Sequence, residues 1–125
     1  MIIYCCQDLI FATKIRSTAE ATGVSSRPAR NSETLDQRLN QVDDGKLNEP
    51  VTAVFIDLDL DQTALALIEQ VKAHDTNHPV VAFGSHVATV LLQAAHDRGA
   101  DFVMTRGQFT ANLPTILQRF GGNDV

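Results

Sequence analysis

Val51-Thr52-Ala53-Val54-Phe55-Ile56-Asp57-Leu58-Asp59-Leu60-Asp61 is the stretch whose reading decides the fold of this chain. It begins as an apolar run rich in β-branched and aromatic side chains. It ends on a carboxylate, followed by two more at alternate positions. Bounded by Pro50 and by acids, a run of this length reads as a strand buried on both faces. Such a strand belongs in the middle of a parallel sheet, and open parallel sheets collect function at the carboxyl ends of their strands. Asp57 is placed at that edge.

Outward from it, strands and helices alternate. Ile2 to Cys6 is a first apolar strand, and Asp8 is placed to cap a helix carrying Phe11, Ala12, Ile15, Ala19 and Thr22 on one face, closed by Gly23. Val24 to Ala29 is a polar second strand whose Pro28 assigns it to an edge. Asn31 or Ser32 caps a second helix with the stripe Leu35, Leu39 and Val42, stopped by Asp43-Asp44-Gly45. Ala64, Leu67, Ile68 and Val71 mark a third helix, with Asp61 as its N-cap. Val80 to Phe83 is a fourth strand ending at Gly84-Ser85. Val87, Val90, Leu91, Ala94 and Ala95 mark a fourth helix closed by Gly99. Ala100 to Thr105 is a fifth strand ending at Arg106, and Leu113, Ile116, Leu117 and Phe120 face inward from a last helix, with Pro114 in its first turn.

Five βα units call for a parallel sheet covered on both faces. Right-handed crossovers leave few topologies, and the flavodoxin-like order 2-1-3-4-5 places the polar second strand at an edge. The expectation is a single domain over residues 1–125, a three-layer (βα)5 sandwich. The strand ends then present Cys6-Gln7, Asp57, Gly84-Ser85 and Arg106 side by side.

Composition narrows the function. The chain has 125 residues, 44% hydrophobic and 20% charged, with net charge −5 and only three lysines. Those are globular values, and the charge opposes nucleic-acid binding, which rests on Lys and Arg neutralising phosphates. Cys5 and Cys6 are adjacent on a strand and point to opposite faces, which opposes a disulfide between them and fits a reducing compartment. Neither a signal segment nor a membrane span is visible. These features predict a cytoplasmic protein without membrane or nucleic-acid partners.

Val54-Phe-Ile-Asp57, Pro79-Val-Val-Ala-Phe-Gly84 and Gly99-Ala-Asp-Phe-Val-Met-Thr-Arg106 together resemble the response-regulator receiver domain over essentially the whole chain. In that family the carboxylate matched by Asp57 takes a phosphoryl group from a histidine kinase. The chain departs from the pattern at the site itself. The family's acidic pair after the first strand, which with the phosphoacceptor binds Mg²⁺, is replaced by Cys6 and Gln7. Asp8 lies one position late. The family's phosphoryl-binding Ser or Thr corresponds to Gly84, with Ser85 a displaced substitute. Its lysine is Arg106, its following proline is Gly107 and its aromatic switch position is Val103.

Mg²⁺ is a hard ion that prefers carboxylate oxygen, so a thiol and an amide make a poor site. Phosphoryl transfer depends on neutralising oxygen charge, usually through a metal. The resemblance therefore implies a pseudo-receiver: a protein-interaction module, not an enzyme, with no cofactor and no resident metal. Asp8, Asp57 and Asp59 are the weak candidates for a cation, and Mg²⁺ enters only if Asp57 is a working phosphoacceptor. In place of the metal we expect a partly buried Asp57–Arg106 ion pair.

Implied partners are signalling proteins, such as a histidine kinase or an output protein. A homodimer face is implied on the fourth helix, fifth strand and last helix, around His96, Val103 and Gln108. The alternative function is a phosphorylatable single-domain regulator. A more distant one rests on Asp59-Leu-Asp61-Gln-Thr63, which resembles the nucleophile motif of haloacid-dehalogenase phosphotransferases, although Lys72 is the only lysine downstream. Cys6 reads most simply as a buried thiol without redox work. His74 and His78 read as solvated loop residues, and His86 as a surface residue at a helix start.

Overall fold

In the computed structural model the described residues are 1–43, 46–47, 49–74 and 77–121, with Asp43 and Leu47 described by backbone alone. Five strands form the parallel sheet: β1 (Ile2–Cys5), β2 (Ser26–Pro28), β3 (Ala53–Asp57), β4 (Val80–Gly84) and β5 (Phe102–Thr105). Their spatial order is β2-β1-β3-β4-β5. Ile2 pairs with Ser26 and Ala53, Val54 with Val80, and Val81 with Phe102. The central strands are buried along their whole length, as a sheet covered on both faces requires.

Alternation along each strand sorts side chains between two cores. Ile2, Tyr4, Phe55, Val81 and Phe83 meet α1 (Leu9–Ala21), α5 (Arg106–Ala111) and α6 (Leu113–Phe120) through Ile15, Ala19, Phe109, Leu113 and Leu117. Ile3, Cys5, Val54, Ile56 and Ala82 meet α2 (Ser32–Leu39), α3 (Gln62–Lys72) and α4 (Thr89–Asp97) through Leu35, Leu39, Ile68, Val71 and Ala95. Three layers result, with every strand end of the central sheet on one edge.

Several local expectations are corrected. Val42 does not extend the α2 stripe. The helix ends at Leu39, and Gln41 turns the chain at φ 63° into a two-stranded ribbon of Val42–Asp43 with Lys46–Leu47. The expected stop at Asp43-Asp44-Gly45 lies largely outside the described residues. Asp61 holds the N-cap position of α3, but with φ 58° its side chain makes no capping bond. Val87 and Val90 do not face the core: they are among the most exposed large apolar residues, because α4 begins only at Thr89 and packs through Leu91, Leu92, Ala94 and Ala95. The last helix stands as expected, Leu113–Phe120 with Pro114 in its first turn, but a short helix not foreseen, Arg106–Ala111, precedes it across Asn112. His78 is buried rather than solvated, its ring 5.4 Å from that of His74.

Candidate functional site

Asp57 ends β3 between Cys6, which follows β1, and Phe83 of β4. The sequence led us to expect a partly buried pair there, and Asp57 itself is only 1% exposed. Its burial is compensated, since a buried charge persists only when paired and hydrogen-bonded. Asp57 Oδ1 accepts from the Asp59 backbone N–H at 2.9 Å and from Arg106 Nη2 at 2.8 Å. Asp57 Oδ2 accepts from the Cys6 thiol at 3.3 Å. Both oxygens are therefore engaged by the chain itself.

Arg106 reaches this point because Thr105 ends β5 and starts α5 at once. The Thr105 hydroxyl accepts from Gln108 N–H at 3.1 Å, and the Gln108 side chain accepts from Thr105 N–H at 3.0 Å, a reciprocal capping box. Arg106 is thus the first residue of a helix rather than the last of a strand. The same Nη2 also donates to Asp59 Oδ2 at 2.8 Å. Its guanidinium carbon lies 4.7 Å from the centre of the Phe11 ring and 5.5 Å from that of Phe83. Phe83 in turn stacks on Phe109 at 4.1 Å. One cation is held by two carboxylates on one side and an aromatic wall on the other.

The remaining site residues fall around this pair. Asp8 is exposed and caps α1, accepting from Ile10 and Phe11 N–H. Gln7 is exposed, and Ser85 turns into its own loop, its hydroxyl accepting from Val87 N–H at 3.4 Å. At Gly84, a Cβ would lie 3.0 Å from Leu58 Cβ, so Leu58 already fills the space a side chain would need. Burial, then the hydrogen bond to Asp57 and its charge, push the Cys6 thiol up to about 12. Cys5, fully enclosed, is likewise pushed up to about 12 by burial. Neither is an activated thiol.

This donor set does not fit Mg²⁺. The ion needs several hard oxygens, and the two carboxylates in the cleft already share a guanidinium while a protonated thiol holds the third oxygen. Among the described residues no group of three or more His, Cys, Asp or Glu is arranged to hold a metal. Of the second motif, Asp59 sits in a 3₁₀ turn (Leu58–Leu60) bound to Arg106. Lys72 is anchored at the opposite edge of the sheet, on Asp101 at 3.0 Å. The sequence reading missed Asp59 as the second acceptor of Arg106 and Phe11 as its aromatic support. The capping box was legible as Thr105-x-x-Gln108 and passed over.

No protein-family model and no curated protein matches this sequence. Solved structures match its fold. The receiver domain of NtrX from Brucella abortus superposes with a TM-score of 0.76 at 19% identity, over 99% of this chain and 100% of that one. A response regulator from Thermotoga maritima does so at 0.74 and 16%, over 95% and 94% of the two chains. Response regulator Rcp1 in its Mn²⁺-bound form does so at 0.73 and 10%, over 99% and 96%. The architecture is that of response-regulator receiver domains. No helix among the described residues is long and apolar enough to cross a membrane.

Proposed function

We propose that this chain is a receiver-fold signalling module that works by docking to other proteins and not by accepting a phosphoryl group. The observation that carries the reading is the double engagement of Arg106 Nη2, 2.8 Å from both Asp57 Oδ1 and Asp59 Oδ2. A fixed guanidinium supplies, within the chain, positive charge of the kind a bound divalent ion would bring to these carboxylates. Unlike an ion it cannot dissociate, and with the Cys6 thiol on Oδ2 both oxygens of Asp57 are engaged. On this reading the module is cytoplasmic and non-catalytic. Its partners are signalling proteins, with a docking or homodimer face on α4, β5 and α6. A cleft of about 360 Å³ between Thr89, Leu92, Gln93, His96 and Val103 lies there, whereas Gln108 is committed to its capping box.

The test is intact mass after incubation with acetyl phosphate and Mg²⁺. We expect no added phosphate. A gain of one phosphate that Asp57→Asn abolishes would instead establish a working phosphoacceptor and refute the docking-only reading.

A further inference from the structure

Asp61 has φ 58° and ψ −126°, a backbone conformation open to glycine and strained for any residue with a side chain. Among the described residues only Gln41 and Asp61 have positive φ without being glycine, and Asp61 is the one beside the Asp57–Arg106 pair. Its side chain does not offset the strain by capping α3, and the residue is exposed. Strain of this kind persists only where the surrounding structure enforces it.

The enforcement comes from both flanks. On one, Leu58 is 1% exposed and packs over Gly84. On the other, Ala64 and Leu65 are buried on α3, and their amides donate to Asp61 O at 2.9 and 3.3 Å. The Asp61 amide donates back to Leu58 O at 2.9 Å, so Asp61 is the joint between the 3₁₀ turn and α3. Between these anchors Asp59, Asp61, Gln62 and Thr63 are exposed and Leu60 is half-buried.

Asp59 holds this stretch against the edge of the sheet. Its amide donates to Asp57 Oδ1 at 2.9 Å, and its carboxylate accepts from Arg106 Nη2 at 2.8 Å. Arg106 keeps Asp57 and the Phe11 ring whether or not Asp59 stays. Leu60 and Thr63 form part of the wall of a cleft of about 370 Å³, with Cys6, Gln7 and Arg30.

We propose that residues 59–63 are a strained strap, closed by the Asp59–Arg106 contact, that opens locally while the Asp57–Arg106 pair and the core stay intact. Opening parts Asp59 from Arg106, breaks the Asp61–Leu58 hydrogen bond, returns Asp61 to negative φ and shifts Leu60 and Thr63 in the cleft wall. The tie that closes the strap is weak, since Asp59 is 65% exposed, and the strain at Asp61 favours release. The two states therefore lie close in free energy, the condition under which a partner can bias one of them. This device goes beyond the docking reading and holds whichever way Asp57 is used.

The experiment is amide hydrogen exchange followed by NMR, corrected for intrinsic rates. The residue 59 and 61 amides should exchange faster than those of Ile68 and Val71, through openings that leave α3 folded. Asp59→Asn should speed exchange at residue 61 by roughly fivefold, the upper end for an exposed pair. Asp61→Gly should slow exchange there by roughly fivefold, strain relief outweighing the added freedom of glycine. Asp61→Ala removes the same carboxylate but tolerates the positive φ less well, so it should speed exchange. Exchange at residues 59 and 61 no faster than at Ile68 and Val71 overturns the proposal. So does an Asp59→Asn variant with unchanged exchange, or Gly and Ala variants that shift it in the same direction.

Discussion

Replacing Arg106 by Met keeps its length and apolar stem but removes the charge that Asp57 is buried against. Breaking a well-buried pair from one side costs about 3–5 kcal/mol, because the other charge is left desolvated. The Arg106 side chain is 28% exposed and Asp57 1%, which places this pair at about 3 kcal/mol, the low end. Loss of the contact with the Phe11 ring adds about 0.5–1 kcal/mol. The second carboxylate adds little, since Asp59 is 65% exposed and exposed pairs contribute about 0–1 kcal/mol. The sum is about 3–4 kcal/mol, or roughly 10–15 °C in melting temperature for a domain of this size.

Asp57→Asn should cost less, about 1–3 kcal/mol, because Arg106 keeps Asp59 and partial solvent. The assay is urea unfolding followed by circular dichroism on both single variants and the double. The cycle should give a coupling of about 2 kcal/mol, as for residues in direct contact. If each single variant stays within about 0.5 kcal/mol of the parent, or the double is additive, the pair does not hold the site and the reasoning fails.

Two further outcomes follow from the same geometry. Both cysteines should resist iodoacetamide at pH 8 in the native protein and react once it is unfolded. Each thiol is pushed from its ordinary value of 9 up to about 12, so the stability this contributes is complete below pH 9 and disappears as pH rises from about 9 to about 12; labelling of the native protein at pH 8 would contradict that environment. Gly84→Thr, which restores a hydroxyl where receivers have one, should destabilise by about 1–3 kcal/mol, since its Cβ would meet Leu58 at 3.0 Å. Shortening Leu58 to Ala in the same chain should relieve the crowding. A neutral Gly84→Thr in thermal denaturation would show that the space is not filled.

How much of this was legible beforehand differs by element. Strands buried on both faces announce themselves as short apolar runs, and β3 and β4 were read from Val51–Asp57 and Val80–Phe83 to within two residues. The capping side chains Asp8 and Asn31 were legible because a short oxygen-bearing residue ahead of an apolar periodicity has one local use. Where local signals conflict, the reading failed. Val87 and Val90 carry a helical spacing but precede or open α4, and spacing alone does not reveal which turn of a helix touches the sheet. Asp61 sits where a cap belongs, yet its positive φ directs the side chain elsewhere.

The order of strands, the three layers and the meeting of Cys6, Asp57, Gly84 and Arg106 on one edge were all determined by sequence. Hydrophobic period and crossover handedness leave few topologies, and the polar, Pro28-bearing second strand selects the one that puts it at an edge. Only the tertiary structure decided what that meeting produced. It buried Asp57, drew Asp59 onto the same guanidinium nitrogen, set Phe11 against its face, and seated Leu58 over Gly84. These are contacts between residues tens of positions apart. Their energies depend on distance and desolvation in three dimensions, quantities that spacing along a chain does not carry.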